Sequence, residues 1–140
     1  MEIKIKYLKD IEPLEIIEGG DLIDLRCAED TYMRKGDYRL IPLGVAMELP
    51  ENYGAHVYPR SSTFKNYGIL MANSVGIIDN SYNGPNDQWH LPAYATRDIL
   101  IPKNARIAQF MLVYRQPKVD LVTVENLDNE NRGGIGSTGV

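Results

Sequence analysis

Histidine, cysteine and tryptophan are scarce in this chain, and long apolar runs are missing altogether. The two histidines, His56 and His90, have no third partner, so a histidine-based zinc site is not expected. The single cysteine, Cys27, excludes an intrachain disulfide and fits a reducing compartment; it reads as a small core residue rather than a nucleophile. No apolar run approaches the ~18 residues of a membrane span. Met1 to Lys6 alternates charge and lacks the apolar centre of a signal peptide, so a cytoplasmic location and no membrane contact are expected. No nucleophile elbow is present to support a Ser-His-Asp triad. Positive charge is also short: the formal net charge is -4, and no basic stripe interleaves with aromatics. That argues against a nucleic-acid partner. An anionic ligand would have to bind through a few placed arginines or a metal.

What is present is a series of short apolar-alternating segments. The 140 residues suffice for one domain with a real core. Strands are expected at 2–7, 21–27, 38–42, 44–49, 55–59, 68–71, 89–94, 98–101, 106–114 and 119–124. One helix of at most two turns is expected at 61–67, with Ser61 or Ser62 as its N-cap. Turn signals recur about every ten residues, the spacing of an all-β sandwich or barrel. The expected organisation is a β domain over 1–128 and a glycine-rich, flexible tail over 129–140.

Asn73 to Gly84 reads as a hairpin: an apolar run, Val75 to Ile78, delivers Asp79 at its end, and Tyr82 follows. Gly76 and Gly84 would allow close approach of backbone to a ligand. Asp79 is placed like a general base, or alternatively like a turn aspartate capping backbone amides. The tail, Arg-Gly-Gly-Ile-Gly-Ser-Thr-Gly, is a disordered end or a phosphate cradle of glycine N–H groups with Arg and Ser/Thr donors. It is not a P-loop, because no lysine precedes Ser137-Thr138.

Five segments, taken in order, narrow the reading: Asp24 on a strand, Pro59-Arg60-Ser61-Ser62, Gly76-Ile77-Ile78-Asp79 with Tyr82 and Gly84, Arg106-Ile107-Ala108-Gln109, and the Gly136-Ser137-Thr138-Gly139 tail. Their order and spacing, from about Asp21 to Gly139, closely resemble the homotrimeric deoxyuridine triphosphatase (dUTPase) family. The resemblance implies a jelly-roll-like β fold (β-clip), a homotrimer with shared active sites, and Mg²⁺-dependent hydrolysis of dUTP to dUMP and pyrophosphate. It further implies that Asp79 orients and deprotonates the water attacking the α-phosphorus, and that Tyr82 stacks on the deoxyribose. Asn73 and the backbone of Gly76, Ile77 and Ile78 would bind the uracil edge. Arg60, Ser61, Ser62 and Gln109 would contact phosphates, and Asp24 would hold Mg²⁺ through its water shell. Arg132, Gly133, Gly134, Ile135, Gly136, Ser137 and Thr138 would close over the γ-phosphate, supplied by a third subunit. These roles suit the chemistry, since phosphoryl transfer needs mainly positioning, charge neutralisation and one water-orienting base.

Four positions depart from the family pattern: Leu22 and Ser62 where glycine is usual, Ala105 where an aspartate is usual, and Ile135 where a stacking phenylalanine is usual. Pro85 to His90 is longer than usual and carries the only tryptophan, a feature of the Bacillus and bacteriophage branch. Trp89 or His90 is therefore expected to cover the base, with Trp89 as a plain core or trimer-interface residue the alternative. Two rival functions share the scaffold. A dCTP deaminase would need a glutamate beyond the hairpin, and none lies between Glu51 and Glu125. A non-catalytic nucleotide-sensing or protein-binding module is the other, and a phage origin would bring a regulatory protein partner.

Overall fold

Alternation of buried and exposed residues builds this fold strand by strand. The computed structural model describes residues 1–136 and 139. In chain order the strands are β1 (Lys4–Tyr7), β2 (Ile23–Arg26), β3 (Thr31–Met33), β4 (Tyr38–Pro42), β5 (Val45–Glu48) and β6 (Tyr53–Pro59). Helix α1 (Thr63–Tyr67) follows, then β7 (Ile69–Met71), β8 (Gly76–Ile78), β9 (His90–Ala95), β10 (Ile99–Ile101) and β11 (Arg106–Tyr114). The all-β expectation holds, and the fold is jelly-roll-like.

Two sheets dominate. The first runs β2-β11-β6-β8 and the second β4-β9-β7, with two-stranded pairs β1-β5 and β10-β3 beside them. All pairings are antiparallel, so each strand can bury one face and solvate the other. Leu25, Val57 and Phe110 from the first sheet share one core with Ile41, Ile69 and Leu91 from the second. Cys27 is fully buried in that core, as its isolation in the sequence suggested.

Strand β11 carries one irregularity that matters later. Its register against β2 shifts between Arg106 and Ala108. Residues three apart on a regular strand point to opposite faces, but a bulge adds one residue and restores the same face. Arg106 and Gln109 thereby align with Arg26 and Asp24, which lie two apart on β2.

Helix α1 begins after Ser62, yet Ser62 makes no side-chain cap. Thr63, the first helical residue, instead braces the turn before the helix: its hydroxyl accepts from Arg60 N–H at 2.9 Å and donates to the Ile107 carbonyl at 2.9 Å. The Pro-Arg-Ser turn is thus tied to β11.

Two expectations need correction. The Asn73–Gly84 segment is not a simple hairpin, because β7 pairs with β9 while β8 pairs with β6. Its turn links two sheets rather than two neighbouring strands. No strand forms over 119–124, where Val119, Leu121, Val122 and Val124 are all exposed. Conversely, β3 was not foreseen: three residues between charged neighbours give too short a pattern, although Thr31 and Met33 are buried and Tyr32 is exposed.

Candidate active site

The face of the first sheet turned away from the core carries the polar groups. One row across it is Asp24 on β2, Gln109 on β11 and Tyr58 on β6; the next holds Met111, His56 and Ile77. At the Asp24 end the charges converge. Arg60 Nε reaches Asp24 Oδ1 at 2.9 Å, and Arg106 reaches Oδ2 at 3.4 Å. Arg60 also donates to the Arg106 carbonyl at 3.2 Å, and Gln109 Nε2 donates to the Pro59 carbonyl at 3.1 Å. The β-bulge makes this convergence possible by turning Arg106 toward Asp24. Two guanidinium groups against one carboxylate leave a local excess of positive charge with N–H groups to spare, the requirement of a phosphate site. Ser61 and Ser62 lie at the start of α1 directly beyond Arg60.

The opposite end of the sheet is built around Asp79. Strand β8 is an edge strand, paired only with β6, so one row of its backbone N–H and C=O groups is unpaired. Gly76, Ile77 and Ile78 can present that row to a planar ligand edge. Asp79 leaves the end of β8, and its exposed carboxylate has no hydrogen-bond or ion-pair partner among the described residues. It is therefore not the backbone-capping turn aspartate that the sequence also allowed. Tyr82 N–H donates to the Asp79 carbonyl at 3.0 Å, and the Tyr82 hydroxyl donates to the Gln88 carbonyl at 2.8 Å. The ring is thus fixed beside the aspartate. Asn73 is exposed at the far end of the same segment, next to Ser74, whose φ of 62° is unusual for a residue with a side chain. A cavity of about 520 Å³ lies against the Asp79 turn, lined among others by Gly54, His56, Ile77 and Tyr114.

The glycines of this segment are also required by packing. A Cβ on Gly76 would meet Val57 Cβ at 3.0 Å and Met71 Cε at 3.1 Å, inside the protein. A Cβ on Gly84 would meet Asp87 Oδ2 at 2.7 Å, the same oxygen that accepts from Gly84 N–H.

Trp89 is buried in the core. Its side chain is 1% exposed and packs edge-on against Phe110, ring centroids 5.1 Å apart. Its backbone exchanges hydrogen bonds with Leu43 and Val45. His90 opens β9 opposite Pro42, in the other sheet from Asp79. Trp89 is thus a core residue, and His90 lies on the β4-β9-β7 sheet. The alternative of Trp89 as a core residue is the one the structure supports.

The described part of the tail makes no hydrogen bond or ion pair with the body. The Arg115 N–H donates to the Asn52 carbonyl at 2.9 Å, and beyond it no described residue bonds to the β domain. Arg132, Gly133, Gly134, Ile135 and Gly136 are all exposed. Ser137 and Thr138 lie outside the described residues.

Several contributing residues escaped the reading of the sequence as separate functional positions: Arg106 as a second partner of Asp24, Thr63 as the anchor of the Arg60 turn, Asn80, and Gln88 as the acceptor for Tyr82. Arg106 carried a signal, since it heads the Arg-Ile-Ala-Gln run, but only the bulge places it with Gln109. The others act through single side-chain-to-backbone bonds, which leave no periodic trace.

Comparison with known proteins meets this geometry. A sequence model of the dUTPase family matches residues 22–139. The chain is 56% identical over 140 residues to the SPbeta prophage-derived deoxyuridine 5'-triphosphate nucleotidohydrolase of Bacillus subtilis, covering 99% of each chain. It is 34% identical to the deoxyuridine 5'-triphosphate nucleotidohydrolase of Hydrogenobaculum, covering 100% of this chain and 99% of that one. Among solved structures, the dUTPase of Staphylococcus bacteriophage 80alpha with dUPNHPP has a TM-score of 0.80 at 20% identity and 99% coverage of both chains. A mutant dUTPase of S. aureus phage phi11, whose structure shows a coordinated structural Mg(II) ion, has a TM-score of 0.76 at 16% identity, with 92% of this chain and 100% of that one covered. With matching segments, fold and charged clusters in hand, the chain belongs to the dUTPase family, whose members hydrolyse dUTP to dUMP and pyrophosphate.

Proposed function

We propose that the dUTP diphosphatase activity that family membership gives this chain runs by attack of an Asp79-oriented water on the α-phosphorus, in sites assembled from more than one copy. The observation that carries this reading is the division of the polar groups between two ends of one sheet. Asp79, unpartnered and exposed, can take a proton from water without first breaking a contact. Asp24, Arg60, Arg106 and Gln109, clustered at the other end, can neutralise phosphate charge. Within one chain these ends are too far apart to serve one triphosphate, so a second copy must bring its phosphate end to the Asp79 turn. A homotrimer satisfies this with closed symmetry, each interface joining one base end to one phosphate end.

The edge of β8 suits uracil, whose donor and acceptor pattern its free backbone groups can match. Cytosine presents the opposite pattern, and a mispaired buried group costs roughly 1–3 kcal/mol. Tyr82, held by Gln88, would pack against the sugar. Asn73 would add a hydrogen bond to the base.

Mg²⁺ fits the donor set in an outer-shell role. Among the described residues no cluster of three metal-ligating side chains exists. Mg²⁺ bound mainly to phosphate oxygens and water needs no such cage. Asp24, with lone pairs beyond those the two arginines use, can accept from metal-bound waters. The ion would supply charge neutralisation on the triphosphate. Arg132 and the glycines of the tail would close over the γ-phosphate from a further copy.

The test is pyrophosphate release from dUTP, dCTP and dTTP, each with Mg²⁺ and with EDTA, repeated with Asp79→Asn. Metal-dependent turnover of dUTP alone, abolished in the variant while dUTP binding persists, is the expected result. Hydrolysis persisting in Asp79→Asn would remove Asp79 from the role of base.

A further inference from the structure

The catalytic aspartate needs more than an exposed carboxylate. A water-orienting base must be held within hydrogen-bond reach of one water, and an error of about 1 Å can cost on the order of 10²-fold in rate. The Asp79 carboxylate has no hydrogen bond or ion pair to fix it among the described residues, so its position depends on its backbone. On the N-terminal side the β6–β8 ladder holds it through Ile78, opposite Ala55. Gly54 lies so close beneath that a Cβ there would meet the Ile78 carbonyl oxygen at 2.7 Å.

On the C-terminal side the next residue does the holding. Asn80 is partly buried, and its Nδ2 donates to the Pro50 carbonyl at 3.0 Å and to the Tyr53 carbonyl at 2.8 Å. Both acceptors belong to the turn between β5 and β6, which is closed by Tyr53 N–H donating to Pro50 at 3.1 Å. That turn is itself anchored, since Asn52 within it accepts from Arg115 N–H at 2.9 Å. A carboxamide has two N–H donors on one nitrogen, and here each has a carbonyl to serve. We propose that Asn80 is a positioning residue for the reaction: its carboxamide pins the Asp79 turn to the β5–β6 turn and so fixes where the base holds its water. This rests on the reading of Asp79 as the base.

The chemistry makes the requirement specific. Aspartate at this position has the same shape but no donor, and would set carboxylate oxygens against two carbonyl oxygens. Alanine would leave the turn untethered. Substrate affinity comes from other groups, the β8 edge, Tyr82 and the arginines, so loss of the tether should act on rate and not on binding.

The experiment compares wild type, Asp79→Asn, Asn80→Ala and Asn80→Asp by single-turnover hydrolysis of dUTP with enzyme in excess. Affinity for a non-hydrolysable dUTP analogue and the thermal midpoint are measured on the same samples. Expected for both Asn80 variants is a rate lowered on the order of 10–100-fold with analogue affinity within about threefold of wild type. The aspartate variant should be the slower of the two. With Asp79→Asn inactive, a wild-type rate in Asn80→Ala would overturn the inference and leave the base assignment standing. Rate and affinity falling together, in step with the folded fraction, would show a merely structural residue and also overturn it. Turnover surviving in Asp79→Asn would remove the base reading and the Asn80 inference with it.

Discussion

Mixing two inactive variants should restore activity, and the amount follows from the sheet. Asp24 shares a row with Gln109 and Tyr58, while Asp79 continues from Ile78, which pairs with Ala55. Between the Tyr58 row and the Gly54 row lie four residues along the strand. Between β2 and β8 lie three strand spacings. At about 3.3 Å per residue and about 4.8 Å per strand, the two carboxylates are roughly 20 Å apart. A base acts within hydrogen-bond distance of its water, so Asp79 of one chain cannot serve phosphates held by Asp24 and Arg60 of that chain. Asp79→Asn chains keep an intact phosphate end, and Arg60→Ala chains keep an intact base. Unfolded together in equal amounts and refolded, they assemble at random, and about a quarter of the sites receive both intact halves. Pyrophosphate release from dUTP should then reach about a quarter of the wild-type value, while the separately refolded parents stay far below it. No gain over the mean of the parents would refute the shared site, because in a site built from one chain every copy would lack one half.

Trp89 fluorescence gives a second test: with the ring buried against Phe110, its emission should be unchanged when a non-hydrolysable dUTP analogue saturates the protein. A substrate-dependent quench would return Trp89 to the site. Cys27 makes stability depend on alkaline pH. Burial pushes its thiol above the ordinary value of 9.0, so the folded protein keeps a proton that the unfolded chain loses. Stability from this group is complete below pH 9.0 and declines as pH rises toward the raised folded value. Urea midpoints on either side of that pH should show the decline, and Cys27→Ala should remove it.

Much of the fold was legible because it rests on period two. The run Trp89, Leu91, Ala93, Ala95 is buried at every second position, and that alternation already placed Trp89 on the core face of a strand. Reading it as a base cover gave weight to its position in a longer loop over its place in the pattern. The same rule misled at 119–124, where apolar residues alternate but no described strand offers them a partner. Strand pairing is a tertiary fact, and alternation supplies only one half of it. The candidate site was legible as a set of residue types, since carboxylate, tyrosine, arginine and glutamine are what phosphoryl transfer uses. Asn80 and Thr63 were not, because a side chain that bonds a distant carbonyl looks like any other polar residue in a turn.

Which of these groups meet is a matter of topology, and here the topology separates them. Sheet order β2-β11-β6-β8 sends the acid of β2 and the acid after β8 to opposite edges, whatever their spacing in sequence. A second feature points the same way. The segment after Arg115 carries Val119, Leu121, Val122, Val124 and Leu127, all exposed on this chain. Such a stretch is too apolar for a linker chosen only to be solvated, and its own β domain offers it no hydrogen bond among the described residues. Charged groups divided between sheet edges and an apolar arm with no hydrogen bond to its own β domain among the described residues are separate observations, one about charge and one about burial. On the proposed reading both would be satisfied by the same change, the addition of further copies of the chain, each completing with its own surface what its neighbour leaves open.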